Sequence, residues 1–493
     1  MTNPSLRRER DWTHSLAVAR RRSNIGRALA VILLVLAAAV LGVIIASKFP
    51  RPAAPPHVLV ISVDGMGSAY YMNPAPGLRT PNLRRLLAEG SYAEAVEDVY
   101  PTLTYPAHTT LVTGLMPAGH GIYTNLSSRV AGKNPNDWFW FARDIKAPTL
   151  WDEARRHHLT AASVAWPVTA GAGIDWDVPE IWNPARTPAP DAFYVAHFIR
   201  PLTLLDVFLA LGLPKRGSED DENRARLACY LITEHRPSLT LLHLEAVDSA
   251  EHNHGPGSPE ALAALERADV HIGEVLDALK RAGIEGSTDV FVVSDHGFLP
   301  IDRQIRPNIP LARAGLLTLN SAGEIVGGKI ATVDNDGSFF IYWPGGSGLG
   351  TEVEAALQPL LDQHLIRAQF NRNALREMGA DPQAGLALEA PDGAEFTDAA
   401  IGDLVKPLEH RQGSHGFLPS RPGLQSGFIA WGPDIRAGVD LHRIRLIQIA
   451  PTLLEALGID DPHFGETPPL SEIFKGGRGR DQTAVPAASV KGE

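Results

Sequence analysis

Three apolar runs of this sequence each end in an aspartate, histidines follow two of these aspartates, and another histidine lies further on in the segment QGSHGF. The runs are HVLVISVDG (57–65), SLTLLHLEAVD (238–248) and TDVFVVSDHG (288–297). The acidic and histidine residues concerned are Asp64, Asp248, His252, Asp295, His296 and His415. Carboxylates and imidazoles without thiolates suit zinc, and also manganese or iron. Such a set is too large for one tetrahedral ion, but it suits two ions that share a phosphate-sized gap.

The segment YPTLTYPAHTTLVTG (100–114) places a threonine, Thr104, immediately before the residues YPAH. This threonine could be a helix cap or a nucleophile. A threonine hydroxyl is a poor nucleophile near neutral pH until a bound metal ion lowers its pKa. The pattern predicts a helix that starts at Pro106, so free backbone N–H groups would face an anion held near Thr104. Both roles remain open on these residues alone.

A sheet must position these side chains, and strand and helix patterns alternate along the chain. The segment TPNLRRLLAEG (80–90), for example, has Thr80 as a cap, Pro81 at the first helical position and Gly90 as a stop. Such alternation predicts an α/β fold with a central, mostly parallel sheet and helices on both faces. The carboxyl ends of parallel strands meet at one edge, where α/β sheets bind ligands. We therefore expect the three aspartates to converge there.

The N-terminal part of the chain predicts a membrane anchor. An arginine-rich start runs into ALAVILLVLAAAVLGVIIA (28–46), whose 19 residues carry no charge and can cross about 30 Å of hydrocarbon as one transmembrane helix. A cleaved signal peptide is the alternative, but the run exceeds the roughly 7–15 residues of a signal's apolar region. The arginines predict a cytoplasmic N-terminus. The protein is then a single-pass protein of the cell membrane, with its large domain on the periplasmic or extracellular side.

The chain accordingly divides into predicted parts. They are a basic cytoplasmic N-terminus (1–27), a transmembrane signal anchor (28–46), a proline-rich linker (47–56), a catalytic domain (57–473) with a small inserted cap lobe at about 300–400, and a disordered tail (474–493). Proline-rich linkers are extended, and a polar, glycine-rich tail cannot bury enough apolar surface to fold.

Charge and cysteine content exclude several classes of function. The net charge is -11, and the first 27 residues hold seven arginines and two acidic residues, so the remainder carries -16. An acidic body argues against nucleic-acid binding, which needs a basic face, and is compatible with bound divalent cations. The single cysteine, Cys229, excludes a disulfide within the chain and a cysteine-based metal site.

Taken together, the segments ISVDG, YPTLTYPAHTTLVTGLMPAGHGIYTN, VDSAEHNHGP, VVSDHG and GSHGF resemble the alkaline phosphatase superfamily, and more narrowly its nucleotide pyrophosphatase/phosphodiesterase family. The resemblance spans about residues 57–460. It implies an alkaline-phosphatase-like fold, two divalent metal ions of which zinc is the first choice, and a phosphothreonine intermediate.

The resemblance also assigns roles to individual residues. It implies that Thr104 is the nucleophile, with helix capping left to its neighbours, and that Asn125 holds a non-bridging phosphate oxygen. The implied ligands of the ion that also binds Thr104 are Asp64, Asp295 and His296. Those of the second ion are Asp248, His252 and His415.

This chain departs from the family pattern near the substrate. It has Ala107 where the family usually has asparagine, and MGSAYY where an arginine-containing stretch usually follows SVDG. Tyr105 and Trp166 are candidates for stacking a nucleotide base, with ordinary core aromatics as the alternative. His243, in the middle of the strand at 238–248, is interpreted as a core histidine with its hydrogen bonds satisfied.

The function predicted from the residues and the resemblance together is a metal-dependent phosphodiesterase or nucleotide pyrophosphatase. It would act on a phosphodiester or nucleotide substrate outside the cytoplasm. A phosphomonoesterase of the same superfamily is the nearest alternative because it would share the two-metal core. A membrane-anchored binding protein on an inactive scaffold is another, although every implied ligand and the nucleophile are present. Sulfatases are disfavoured since no C/S-x-P-x-R motif occurs.

Overall fold

The structure, a computed structural model, describes residues 56–127, 138–181, 195–211, 220–345 and 348–476. The chain divides into two units, Met1–Pro55 and Pro56–Glu493, and the first unit lies outside the described residues. The predicted cytoplasmic segment, signal anchor and most of the linker therefore lie outside the described residues, as does most of the predicted tail. Within the part of the chain that is described, no helix combines the length and apolar character needed to cross a bilayer.

An eight-stranded sheet forms the centre of the second unit. Its strands, in spatial order, are β18 (Val439–Asp440), β2 (Ser91–Tyr92), β17 (Phe428–Trp431), β7 (Thr288–Val293), β1 (His57–Val63), β6 (Leu239–Leu244), β4 (Ala161–Val164) and β5 (Trp176–Val178). Only the two pairs that involve β17 are antiparallel. The predicted mostly parallel sheet is confirmed.

The central strands β1, β6 and β7 form because they are rich in valine, leucine, isoleucine and phenylalanine, which favour strands that are buried on both faces. Every residue of these three strands is buried. Val60 of β1 lies opposite Leu241 of β6 and Phe291 of β7. This register brings the carboxyl ends of the three strands to one edge of the sheet.

Helices cover both faces of the sheet. Leu59 and Ile61 of β1 belong to a core that includes Ile272, whereas Val58 and Val60 belong to a second core that includes Leu453. The alternation follows from the two-residue repeat of a strand. The helices are α1 (Ala69–Met72), α2 (Pro81–Glu89), α3 (Thr104–Thr113), α4 (Pro117–His120), α5 (Leu150–Arg156), α6 (Leu204–Leu211), α7 (Asp221–His235), α8 (Ala246–His254), α9 (Pro259–Ala282), α10 (Asn308–Arg313), α11 (Leu349–Asp362), α12 (Arg372–Glu377) and α13 (Ile449–Ala456).

Helix α2 confirms the predicted start and stop, with Thr80 as N-cap and Gly90 as C-cap. The Thr80 side chain makes no capping hydrogen bond. The buried carboxylate of Asp269, on α9, instead accepts hydrogen bonds from the backbone N–H groups of Asn82 (3.1 Å) and Leu83 (2.7 Å). Tertiary packing therefore satisfies donors that local capping would satisfy in an isolated helix.

The predicted strand at 238–248 is too long. Strand β6 ends at Leu244, and Asp248 lies in the first turn of α8. The chain leaves the sheet where Asp221 accepts hydrogen bonds from the backbone N–H groups of Glu245 (2.9 Å) and Ala246 (3.0 Å). Asp248 and His252 therefore share one helix face, because they are four residues apart on α8.

Between β7 and β17 the chain builds further sheets, in the stretch where the inserted lobe was predicted. A four-stranded antiparallel sheet has a core shared with α11, and a three-stranded sheet adjoins the site described below. The strands outside the central sheet are β3 (Ala95–Glu97), β8 (Leu299–Ile305), β9 (Leu317–Leu319), β10 (Ile325–Gly328), β11 (Ala331–Asn335), β12 (Ser338–Tyr342), β13 (Ala368–Asn371), β14 (Leu386–Glu389), β15 (Gly393–Phe396), β16 (Val405–Ser414) and β19 (Arg443–Arg445).

Candidate active site

The structure gathers the predicted metal ligands into two overlapping groups at the carboxyl edge of the sheet. In each group, one ligand atom from every member lies within 4.8 Å of the others. The first group is Asp64, Asp295 and His296, and the second is Asp248, His296 and His415. His296 belongs to both, whereas the resemblance implied it for one ion only.

The first group surrounds the imidazole of His296. Its Nε2 lies 3.4 Å from Asp64 Oδ1 and 3.2 Å from Asp295 Oδ2. Asp64 follows β1 directly, and Asp295 comes two residues after the end of β7. The Asp295 carboxylate is held from the other side, since its Oδ1 accepts a hydrogen bond from the Gly65 N–H at 3.2 Å.

His252 lies beside the second group rather than within it. Its Nε2 is 3.0 Å from His415 Nε2 and 3.5 Å from Asp248 Oδ1. The imidazole of His415 stacks on that of His296, with 3.8 Å between ring centroids. His415 is fixed through its Nδ1, which lies 2.8 Å from the backbone oxygen of Thr102.

Thr104 is the first residue of α3, two residues before the predicted helix start. The N-cap is Leu103, which makes no side-chain capping bond, so the cap position belongs to a neighbour of Thr104, as predicted, and not to Thr104 itself. The Thr104 Oγ1 lies 3.4 Å from His296 Nε2. The hydroxyl thus lies at a helix N-terminus, next to the histidine that both groups share.

Asn125 lies next to this helix start, although it is 21 residues further along the chain. Its Oδ1 accepts a hydrogen bond from the Tyr105 N–H at 3.0 Å. The bond fixes the plane of the Asn125 amide beside the residue that follows Thr104. The opposite end of that amide is a donor, which suits an anionic oxygen.

The site fits divalent cations because it contains buried polar atoms that lack partners. Among the described residues, the atoms Asp64 Oδ1, Asp248 Oδ1, Asp295 Oδ2 and His296 Nδ1 are buried without a hydrogen bond. Buried polar groups normally find a partner, and an unpaired carboxylate is the most costly to bury. Oxygen and imidazole donors without sulfur are also the set that zinc and manganese accept.

Protonation equilibria give the same picture. Burial raises the pKa of Asp64 and of Asp248, with the Asp295 charge adding to both shifts, and burial raises the pKa of Asp295 to about 6. Burial, together with neighbouring imidazoles, lowers the pKa of His296 and of His415. The protein alone therefore disfavours the ionised carboxylates, and it keeps the imidazoles in the neutral form that binds metals.

His108 is a residue of the site that the residue patterns did not single out. Its Nδ1 lies 2.8 Å from the Thr104 backbone oxygen and its Nε2 lies 2.9 Å from Ser62 Oγ. Nδ1 is also 3.5 Å from Asp295 Oδ2. The signal in the sequence is its position four residues after Thr104, which places both on one face of α3.

Neither predicted base-stacking aromatic offers a face to a substrate. Tyr105 and Trp166 are both 0% exposed, so they are core aromatics. The Tyr105 hydroxyl donates a hydrogen bond to Glu180 Oε1 at 3.2 Å. Ala107, which departs from the family pattern, is also buried, in the same core as Leu111. The alternative interpretation of Tyr105 and Trp166 as ordinary core aromatics is therefore confirmed.

Gly416→Ala is expected to displace His415. Gly416 has φ +78°, and a Cβ at this position would lie 1.9 Å from the backbone oxygen of Asn335. The contact would be between two backbone segments, so the segment that carries His415 must move away from Asn335. We therefore expect about a tenfold or greater loss of affinity for one bound metal ion.

Gly283→Ala is the matched control for this change. Gly283 has φ +71° at the end of α9, so alanine meets the same backbone strain, but no atom lies within 4 Å of the added Cβ. Metal affinity and thermal unfolding of both variants are measured. Equal metal affinities would show that His415 does not depend on this close approach.

A comparison with protein families matches residues 58–351 to the family model described as type I phosphodiesterase / nucleotide pyrophosphatase. The chain belongs to this family. The resemblance inferred from the motifs is therefore confirmed.

Curated members of the family are similar over most of this chain. The mouse ectonucleotide pyrophosphatase/phosphodiesterase family member 1 is 25% identical over 446 residues, which cover 86% of this chain and 43% of the mouse protein. The bovine bis(5'-adenosyl)-triphosphatase ENPP4 is 28% identical over 445 residues, which cover 84% of this chain and 82% of the bovine protein. The chain thus spans less than half the length of the mouse protein.

Solved structures share the fold. Mouse ENPP5, as an inactive variant in complex with AMP, superimposes with a TM-score of 0.61 at 19% identity, over 86% of this chain and all of that chain. Human ENPP5 gives a TM-score of 0.60 at 20% identity, over 83% of this chain and 97% of that chain. At 19% and 20% identity, the structural similarity shows that this chain has the same fold as ENPP5.

Proposed function

We propose that this chain is a metal-dependent phosphodiesterase or nucleotide pyrophosphatase whose nucleophile is Thr104. The observation that carries the proposal is the position of the Thr104 hydroxyl, 3.4 Å from the one imidazole that both ligand groups share. Family membership supports the reaction class. A hydroxyl beside two overlapping sets of metal ligands is the arrangement that phosphoryl transfer needs.

Two divalent cations would be held by residues of this chain. Asp64, Asp295 and His296, with the Thr104 hydroxyl, would hold one. Asp248, His252 and His415 would hold the other, and His296 is within reach of both groups. Zinc is the proposed ion, since the donors are carboxylate oxygens and imidazole nitrogens. When bound, the cations would lower the pKa of the hydroxyl and offset the negative charge of the phosphoryl oxygens.

The reaction proceeds in two displacements at phosphorus. The Thr104 oxygen, after losing its proton, forms a bond to phosphorus while the bond to the leaving alkoxide or phosphate breaks, and the leaving group takes up a proton. Water then attacks the phosphothreonine, the bond to Thr104 breaks and a phosphomonoester is released. Asn125 would donate its amide to a non-bridging oxygen in both steps. The expected free N–H groups at the start of α3 are largely taken, because the Tyr105 N–H is bonded to Asn125, Pro106 has no N–H and the Ala107 N–H is bonded to the Leu103 backbone oxygen.

A nucleotide or a related phosphodiester is the proposed substrate. The similar mouse structure contains AMP, and the name of the bovine relative describes a dinucleoside triphosphatase. The acidic body of the chain, which carries a net charge of -16 beyond the first 27 residues, disfavours a nucleic-acid polymer.

We also propose that the catalytic domain lies outside the cytoplasm, anchored through residues 28–46. The support is the uncharged run of 19 residues behind an arginine-rich start. Protease added to cells from which any outer membrane has been removed should cleave the domain from its anchor. Protection of the domain until the cytoplasmic membrane is permeabilised would contradict this location.

Hydrolysis of a nitrophenyl phosphodiester and of the matching monoester tests the reaction class. With zinc added, we expect kcat/KM for the diester to exceed that for the monoester by about tenfold or more. The reverse preference would keep the fold and the nucleophile but make the protein a phosphomonoesterase. Activity with neither ester, in a chain that binds zinc, would favour a binding protein on an inactive scaffold.

A further inference from the structure

A buried network lies behind the first ligand group, on the side of Asp64 that faces away from His296. His243, on β6 opposite Ser62 of β1, points its Nε2 at Asp64 Oδ2 over 2.9 Å. Its Nδ1 lies 2.8 Å from Glu180 Oε2 and 3.0 Å from the backbone oxygen of Ala165. The interpretation of His243 as a core histidine with satisfied hydrogen bonds holds, but one of its partners is a predicted metal ligand.

The two carboxylate oxygens of Asp64 face different neighbours. Oδ2 is bonded to His243, whereas Oδ1 has no hydrogen-bond partner in the described part of the chain and lies 3.4 Å from His296 Nε2. A carboxylate held through one oxygen can rotate only slightly, so the other oxygen keeps a fixed direction into the site. Metal-ligating carboxylates are commonly oriented by an outer hydrogen bond of this kind.

Glu180 connects this outer bond to the nucleophile's side of the site. Besides His243, it accepts a hydrogen bond at 3.2 Å from the hydroxyl of Tyr105, the residue after Thr104. The backbone N–H of Tyr105 in turn bonds to Asn125. The Glu180 carboxylate therefore contacts two residues of the site's surroundings. One is His243, which is bonded to Asp64, and the other is Tyr105, which follows Thr104 in the chain and is bonded to Asn125.

Arg224 balances the charge of this network. Its guanidinium lies 3.6 Å from Glu180 Oε2, 3.3 Å from Asp220 Oδ2 and 3.2 Å from Glu245 Oε2. The exposed fractions of the Asp64, His243, Glu180 and Arg224 side chains are 3%, 1%, 11% and 10%. Burying so many ionisable groups costs free energy that apolar packing would avoid. Their place directly behind a predicted ligand indicates a positioning role.

We propose that His243 and Glu180 are positioning residues that hold Asp64 for one bound metal ion, and that Glu180 also steadies Tyr105 beside the nucleophile. The inference rests on the proposed function only in taking Asp64 as a metal ligand. It concerns neither the identity of the substrate nor the second group, whose Asp248 and His415 are not in hydrogen-bond contact with His243 or Glu180 among the described residues.

Zinc binding to the purified full chain tests the proposal. The metal is removed with EDTA, and two stepwise affinities are measured by competition with a chromophoric chelator. His243→Leu is expected to weaken one affinity about 10–100-fold and to leave the other nearly unchanged. His243→Gln, whose amide can still donate one hydrogen bond, is expected to lose less. At saturating zinc, His243→Leu should recover most of its turnover, because concentration replaces the lost affinity.

Glu180→Gln tests the second arm of the proposal. It should weaken the same zinc affinity about tenfold. Unlike His243→Leu, it should keep a lowered kcat at saturating zinc, since Tyr105 has lost the charge of its acceptor. If the role is only structural, the variants should have lower thermal stability. The two zinc affinities should then change equally, and kcat should not fall separately from KM.

Asp269→Asn is the matched control. It makes the same oxygen-to-nitrogen change in a buried carboxylate that supports α2, away from the site. Zinc affinities of the His243 and Glu180 variants that match those of this control and of the unaltered chain would overturn the inference. If His243→Leu does not fold, His243→Gln and Glu180→Gln give the answer. An unaltered chain that binds no zinc and hydrolyses no diester would instead overturn the proposed function.

Discussion

Thr104→Ala is expected to abolish turnover of a phosphodiester, with kcat lowered about 10⁴-fold or more. The loss follows because alanine has no oxygen to attack phosphorus, so the covalent intermediate cannot form. The ligand groups should be unaffected, since their carboxylates and imidazoles are all retained. The variant should therefore bind the same number of zinc ions per chain, and acid quenching should trap no phosphorylated protein.

Thr113→Ala is the matched control for this prediction. Thr113 is buried at the other end of α3, and its hydroxyl donates a hydrogen bond to the Thr109 backbone oxygen at 2.8 Å. The same loss of Oγ1 and Cγ2 there should leave kcat within a few-fold. Thr104→Ala with near-normal turnover would show that another group attacks phosphorus. Thr104→Ala without bound zinc would show that the hydroxyl is needed for metal binding.

Asp295→Asn is expected to change protein stability in opposite directions with and without metal. Asp295 is 0% exposed and its Oδ2 has no hydrogen-bond partner. With zinc bound, the variant should be less stable than the unaltered chain and should lose nearly all activity, because one ligand charge is gone. Without metal, the variant no longer buries a carboxylate whose Oδ2 lacks a hydrogen-bond partner among the described residues, so it should be the more stable protein.

The direction of the pH dependence follows from the pKa of Asp295, which burial raises from 3.8 to about 6. In the metal-free chain, the free energy of unfolding should fall as pH rises from about 4 to about 6, because the unfolded chain releases this proton first. The penalty persists above that range and amounts to about 3 kcal/mol at most. At pH 8 in EDTA, Asp295→Asn should therefore unfold at higher urea concentrations than the unaltered chain, and the difference should vanish near pH 4.

Urea unfolding at both pH values, with EDTA and with zinc, checks this prediction. Asp269→Asn is again the control. The Asp269 carboxylate accepts backbone N–H bonds at 3.1 and 2.7 Å, so this variant should be less stable than the unaltered chain in every condition. An Asp295→Asn variant that is less stable than the unaltered chain in EDTA at pH 8 would mean that the carboxylate is not an electrostatic burden in the metal-free protein.

Features that depend on neighbours in the chain could be predicted from the sequence. The continuous apolar runs of β1 and β7 predict buried parallel strands, and the strands form with Asp64 and Asp295 just beyond their ends. The Pro81 start and Gly90 stop of α2 are likewise local signals. The segments that carry the site residues indicated the family only together, because the family is defined by these residue types in this order along the chain.

The sequence alone determined the residue types of the site, the central strands and the family. Tertiary structure decided how the ligands are grouped, with His296 common to both groups and His252 beside them. It also decided the burial of Tyr105 and the contact of His243 with Asp64 and Glu180. The physical reason is that His243 and Asp64 are 179 positions apart, and only the pairing of β6 with β1 brings them together. Local patterns of hydrophobicity and capping carry no record of such distances.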